Sequence, residues 1–259
     1  MLMGRSIVFA SGKGGTGKTS MATNLGIALA EAGKKTVVVD ADVAMANVGI
    51  MLGIERAPIS LHNVLVGEAD VKDAVYEGPR GVKYVPAALS LDKYSKVDFE
   101  RLHDAIGELE KEYDFVLVDC APGLAKDAQE AIKACSEAVL VLNPEPTSLA
   151  DGLKVKAICE RNNVKILGIV VNMVSGDRSE IKKADLETIM GLAVIGEAPV
   201  DAEARRSAAL QEPAVIRKPD AQFSRAVREL ARKISGSPVP EPRVKKGLLR
   251  SILAAFGVK

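Results

Sequence analysis

The sequence predicts an α/β fold with a mainly parallel central sheet flanked by helices on both faces. Two observations carry this. Short apolar runs alternate along the chain with stretches of helical periodicity, and strands that are apolar throughout are those covered on both faces. In addition, the first such run passes through a glycine-rich loop straight into a helix, so the chain begins strand, loop, helix. With 47% hydrophobic and 27% charged residues over 259 positions, the chain can build one large domain with a substantial core, and no composition shift suggests two.

The elements follow in order. Ser6 to Ala10 (SIVFA) is β-branched and aromatic and reads as a buried strand, and from Lys18 apolar residues recur at helical spacing until Gly33 stops them. Further strands are expected at Lys35 to Asp40, Val82 to Ala87, Asp114 to Asp119, Glu137 to Pro144, Val164 to Asn172 and Leu192 to Pro199. The polar stretch DFERLHDAIGELEKEY reads as a helix. The prolines of SGSPVPEPR, Ser235 to Arg243, break any helix, so residues 1–235 form the domain, 236–243 a linker and 244–259 a separate terminal segment.

Such a sheet binds its ligand at the carboxyl ends of its strands. The loop there, Gly12, Lys13, Gly14, Gly15, Thr16, Gly17, Lys18, Thr19 and Ser20, fits the G-x-x-x-x-G-K-[ST] pattern. In that pattern backbone N–H groups cradle phosphates, the lysine reaches the β and γ oxygens and the hydroxyl ligates Mg2+. The loop opens a helix N-terminus, where dipole and free N–H groups favour an anion. A P-loop NTPase using ATP or ADP with Mg2+ is therefore expected. Asp40 and Asp42 end the second strand, where one carboxylate orients or activates the attacking water. Asp119, ending a later strand, is the Walker-B-type carboxylate for Mg2+, with Thr19 and Asp40 completing the expected metal set, and Gly123 is free to swing toward a γ-phosphate. Asn172 brings an amide that can donate to and accept from a base edge.

Other chemistries find little support. Cys120, Cys135 and Cys159 are odd in number and far apart, which suggests neither disulfides nor a four-ligand metal site, and His62 and His103 stand alone. Net charge is +1, so no global basic field points to nucleic acid. No apolar run is long enough to span a bilayer, and the first strand starts too early for a signal peptide, so the protein is expected in the cytosol.

One residue is surplus to a P-loop: a second lysine, Lys13. KGGTGKT with that lysine resembles the deviant Walker A signature of the MinD/ParA family of ATPases, and the resemblance runs the length of the chain. VVVDADVAMANVGIMLG is similar to the family's first switch, DCAPGLAKDA to its second, NPEPTSLADGLKV to the stretch after the next strand, VVNMV to the base-binding strand and PVDAEARRSAALQEPAV to the loop over the adenine. The resemblance is greatest to the family's MinD branch of division-site regulators, in its archaeal form. It implies that Lys13 crosses a two-fold interface to the phosphates of a partner's ATP, that Glu145 and Asp151 lie at that interface, that Asp42 rather than Asp40 orients the water, and that Pro199, Val200 and Asp201 flank the base. It further implies an ATP-dependent homodimer that hydrolyses ATP, answers to a regulatory protein and cycles on and off the inner face of the cell membrane in spatial control of division. The sequence departs from the family at Gln211 and Glu212, where a glycine often precedes the proline, and at Cys120 and Ala121.

The segment RVKKGLLRSILAAFGVK supports the membrane reading. As a helix it places Leu248, Leu249, Ile252, Leu253 and Phe256 on one apolar stripe with Lys245, Lys246 and Arg250 beside the polar side, and no acidic residue follows Glu241. It is similar to the MinD membrane-targeting sequence. Besides a MinD-like regulator of flagella, the superfamily offers two alternatives. A ParA-type partitioner would bind DNA through Arg205, Arg206, Arg217, Lys218, Arg225, Arg228, Arg232 and Lys233, but acidic residues interleave with many of these, so DNA is not the expected partner. A metallocluster protein would need a cysteine pair at a dimer axis, and suitable spacing is missing.

Overall fold

The sheet is built outward from the first strand. In the computed structural model, which describes residues 4–54, 57–87 and 97–240, β1 (Arg5–Ala10) leads through the phosphate loop to α1 (Lys18–Glu31), and β2 (Thr36–Ala41) follows. Two short helices, α2 (Val48–Met51) and α3 (Leu61–Leu65), precede β3 (Tyr76–Glu77) and β4 (Lys83–Val85). Then come α4 (Glu100–Glu110), β5 (Phe115–Cys120), α5 (Lys126–Lys133), β6 (Glu137–Leu142), α6 (Pro146–Arg161), β7 (Lys165–Val174), α7 (Lys183–Met190), β8 (Val194–Pro199), α8 (Ala202–Ala209), α9 (Ala214–Arg217) and α10 (Gln222–Ser235). The eight strands form one sheet in the order β3-β4-β2-β5-β1-β6-β7-β8, parallel except for the β3 to β4 pairing.

The two faces explain why the strands are apolar throughout. Val8, Val39, Val118 and Leu140 pack with Ile106 of α4, Ile132 of α5 and Val155 of α6. Their strand neighbours Phe9, Val38, Leu117 and Val139 pack on the other face with Leu25 of α1 and Val227 of α10. Alternate side chains thus enter different cores, and no position is left for a solvent-facing polar residue. The expected strands are all present, displaced by one or two residues at their ends. β3 was not expected, because two residues at a sheet edge carry no periodicity. β7 runs past Asn172 to Val174, with a register shift between Asn172 and Val174 and Met173 in a left-handed conformation at φ 60°.

Among the described residues no helix is long and apolar enough to cross a membrane. The expected membrane stripe, Leu248, Leu249, Ile252, Leu253 and Phe256, lies outside the described residues.

Candidate active site

β1, the central feeder strand, pairs with β5 and β6, and β5 pairs in turn with β2. The topology therefore brings the phosphate loop, the Asp40–Asp42 end of β2 and Asp119 of β5 to one edge, with Asp40 directly opposite Asp119. The loop's tight geometry depends on glycine. Gly17 takes φ 94°, and a Cβ there would stand 2.2 Å from Asn172 Nδ2. Gly12 lies against α6 so closely that a Cβ would come within 2.4 Å of Asp151 Cβ. No side chain caps α1 at Gly17, which leaves the N–H groups of its first turn open to an anion.

The lysines are separated. Lys18 is buried, with 6% exposure, and its ammonium donates to Ser11 Oγ at 3.0 Å. That hydroxyl donates to the Lys13 carbonyl at 2.8 Å. Lys13 turns away from its own loop, and its ammonium pairs with Glu145 Oε2 at 2.6 Å, at the N-terminus of α6. Asp151, also expected at an interface, pairs within the chain with Lys154 at 2.9 Å.

The three aspartates have different tasks. Asp119 is buried, lies near the Thr19 hydroxyl and keeps Oδ1 buried without a partner. Burial pushes its carboxyl up to about 7, against the opposing effects of Thr19 and the Lys18 ammonium. An orphaned carboxylate oxygen beside a hydroxyl is the donor set that Mg2+ takes, so Thr19 and Asp119 fit the metal. Asp40 is held by backbone. It is fully buried, one oxygen accepts the N–H groups of Asn47 and Val48, each at 2.9 Å, and the other accepts that of Asp42 at 3.3 Å. These bonds tie the end of β2 to the segment at Asn47 and Val48; burial and the facing Asp119 hold its carboxyl well above the usual range. Asp42 accepts from Met45 N–H through Oδ1 alone, and burial raises it as well. Its other oxygen is the carboxylate atom available to a water.

The second switch touches the loop, since Gly123, at φ 90°, donates its N–H to the Ser11 carbonyl at 3.0 Å. On the base side, Asn172 donates through Nδ2 to the Thr16 carbonyl at 2.8 Å, so the amide's first task is to brace the phosphate loop. Asp201 is likewise held by backbone: its carboxylate accepts the N–H groups of Glu203 and Phe223, capping α8 and the start of α10. Gln211 adopts φ 55°, a left-handed conformation that favours glycine. Ser11 is the residue that sequence reasoning missed. Its Ser-Gly placement before the loop was legible, but its hydrogen bonds were not.

The basic residues weighed for DNA are largely committed. Arg228 is buried and pairs with Glu31, Arg217 with Glu203, Arg206 with Glu203, Lys218 with Asp220 and Arg232 with Glu229, while Lys233 donates to the Ile195 carbonyl. All three cysteines are buried, and burial lifts their thiols, Cys120 to about 12 and Cys159 to about 11.

Comparison with known proteins agrees with this fold. A family profile described as "ParA: NUBPL iron-transfer P-loop NTPase" matches residues 3–235. The uncharacterized ATP-binding protein MJ0547 of Methanocaldococcus jannaschii is 42% identical over 245 residues, covering 95% of this chain and 92% of its own. The septum site-determining protein MinD of Bacillus subtilis is 31% identical over 271 residues, covering 99% of this chain and 100% of its own. The solved structure of MinD from Pyrococcus horikoshii, complexed with Mg-ADP, superimposes with a TM-score of 0.86 at 36% identity over 90% of this chain and 96% of that one.

Proposed function

Because the chain belongs to the ParA/MinD family of P-loop NTPases, we propose that it is a MinD-like ATPase switch that dimerises around ATP, hydrolyses it, and resides on the membrane only while dimeric. The observation that carries the reading is the separation of the two loop lysines. Lys18 is buried beside the cradle, whereas the Lys13 ammonium is held outside it on Glu145. A loop lysine that is held on a neighbouring helix rather than in its own cradle is available to a second active site.

The chain's own groups suit hydrolysis. The open N–H groups of α1 and the loop bind the phosphates, Lys18 draws off charge developing on the γ-phosphoryl oxygens, and the free oxygen of Asp42 accepts a hydrogen bond from a water and orients it for in-line attack. Magnesium held by Thr19 and Asp119 would supply further charge neutralisation on the β and γ oxygens. Lys13 from a second copy acts as an arginine finger does, and such a trans charge is worth about a thousandfold or more in rate. The Mg-ADP complex of the Pyrococcus horikoshii MinD supports the same cofactors here.

The membrane half of the proposal rests on the terminal segment's composition. Each partly buried apolar side chain contributes about 1 kcal/mol, and each cation on an anionic leaflet about 1 kcal/mol. Folding the helix and immobilising the protein oppose this, so a single tail binds weakly. A dimer presents two, and the second binds at high effective concentration, raising avidity by about a hundredfold or more. Hydrolysis then releases the protein to the cytosol. Spatial regulation of division is the process proposed, by likeness to the relatives named MinD. Iron transfer is not carried over from the profile's description, since no cysteine reaches the surface.

Light scattering and liposome co-sedimentation test both halves. Full-length protein with a non-hydrolysable ATP analogue should be dimeric and pellet with anionic liposomes at low salt, while truncation after Ser237 should keep nucleotide binding and stay in the supernatant, and Leu249→Glu should do nearly the same. A full-length, ATP-loaded protein that remains monomeric and unpelleted refutes the switch. Nonspecific DNA is the control, and binding to it in preference to liposomes would favour a partitioning role.

A further inference from the structure

We infer that Ser11, just ahead of the phosphate loop, is a positioning residue that keeps the Lys18 ammonium aimed at the nucleotide and away from the carboxylates that serve the metal. The inference rests on the reading of this site as one for a magnesium nucleotide.

Ser11 is 2% exposed and Lys18 6%, so the pair is largely withdrawn from bulk solvent. The nearby opposite charges are Asp42 and Asp119, both close enough for Lys18 to lower their carboxyls. A carboxylate is the stronger acceptor for a buried ammonium. Even so, Lys18 makes no hydrogen bond or ion pair with a carboxylate among the described residues, and its bond goes to the neutral Ser11 hydroxyl. The reason lies in the next bond of the chain. The single hydroxyl proton is committed to the Lys13 carbonyl, so toward Lys18 the oxygen can only accept. One of the three ammonium protons is thereby fixed, and two remain for phosphate oxygens. A neutral partner also leaves the positive charge unquenched until an anion arrives.

Removing the hydroxyl would leave a buried ammonium without an acceptor, which is costly. The available replacement is Asp119, whose Oδ1 has no partner. Lys18 pairing there would occupy the carboxylate that suits Mg2+, so nucleotide and metal affinity would fall together. An amino acid that only packed the strand end would not link the two.

The test uses the full chain, a fluorescent ADP analogue, and Mg2+ titrated at fixed nucleotide, with melting of the nucleotide-free protein as the folding control. Ser11→Ala should weaken Mg-ADP binding about tenfold, the effect of one hydrogen bond to a charged group, and raise the half-saturating Mg2+ concentration by a similar factor. Ser11→Cys, similar in size but a poor acceptor, should do the same, while Ser11→Thr should stay near wild type. Wild-type affinity and Mg2+ dependence in both the alanine and cysteine variants overturns the inference. So does a loss that is equal with and without Mg2+, or a folded threonine variant as weak as alanine. A wild-type protein that binds no Mg-ADP refutes the nucleotide-switch reading itself and takes this inference with it.

Discussion

Replacing Lys13 with alanine separates the trans-lysine reading from a conventional P-loop. Among the described residues the side chain's one polar contact is the 2.6 Å pair with Glu145, and the partners are 30% and 54% exposed. An exposed pair of this kind is worth about 0.2–1 kcal/mol, which for a domain of this size moves the melting temperature by no more than about 4 °C. The Lys13 carbonyl that accepts the Ser11 hydroxyl is backbone and survives the substitution. ADP affinity of the monomer should therefore change by less than about threefold, the scale of the lost surface pair. Phosphate release should fall about a thousandfold or more, equivalent to about 4 kcal/mol of transition-state stabilisation. Lys18→Ala, by contrast, should lose nucleotide binding and turnover together. Mixing Lys13→Ala with Asp42→Ala tests the geometry directly, since the second variant can lend its Lys13 to the first. Random pairing in a two-fold dimer then restores about a quarter of the wild-type rate. Normal turnover by Lys13→Ala alone, or a loss of monomeric ADP binding as deep as that of Lys18→Ala, refutes the reasoning.

Asp42→Ala alone should trap an ATP-loaded dimer, seen as a stable dimer by chromatography with ATP, because the group that orients water is gone while Asp40 still anchors the switch; a monomer or surviving turnover would shift the role elsewhere. Gln211→Gly relieves a left-handed backbone that costs a non-glycine residue about 1 kcal/mol, offset in part by glycine's greater chain entropy, so thermal melting should rise by about 1–2 °C and ADP affinity should hold. A large destabilisation would show that the Gln211 side chain matters. Without Mg2+, the raised carboxyls of Asp40 and Asp119 hold protons that the unfolded chain, with its carboxyls near 3.9, has released. Their contribution to stability is therefore present at low pH and lost as pH rises, for Asp119 through about 7. In EDTA, the melting difference between about pH 5.5 and about pH 8 should accordingly be smaller in Asp119→Asn than in wild type, and an unchanged difference would place the titrating groups elsewhere.

The legible part of this protein is what backbone pattern encodes. Each strand in the middle of the sheet has a continuous apolar run because α helices cover both faces, and the loop declares itself through glycines that its dihedrals and Asn172 require. What the pattern cannot encode is which hydrogen bonds a polar side chain makes. Asp40 and Asp42 are the same residue two positions apart at the end of one strand, and nothing in DAD distinguishes them. Folding distinguishes them, since only Asp40 lies inside the curl of backbone at Asn47 and Val48 and has both oxygens filled. Asp201 and Asn172 repeat the lesson, one engaged by two helix starts and the other by a loop carbonyl. In each case the sequence locates the residue at the ligand's edge of the sheet, while its task depends on whether neighbouring backbone groups have a better claim on its oxygens than the nucleotide does. Lys13 shows the opposite situation. Its partner Glu145 is another exposed side chain, so the bond is weak enough for a second molecule's phosphates to displace, which is what the proposed use of this lysine between two chains requires.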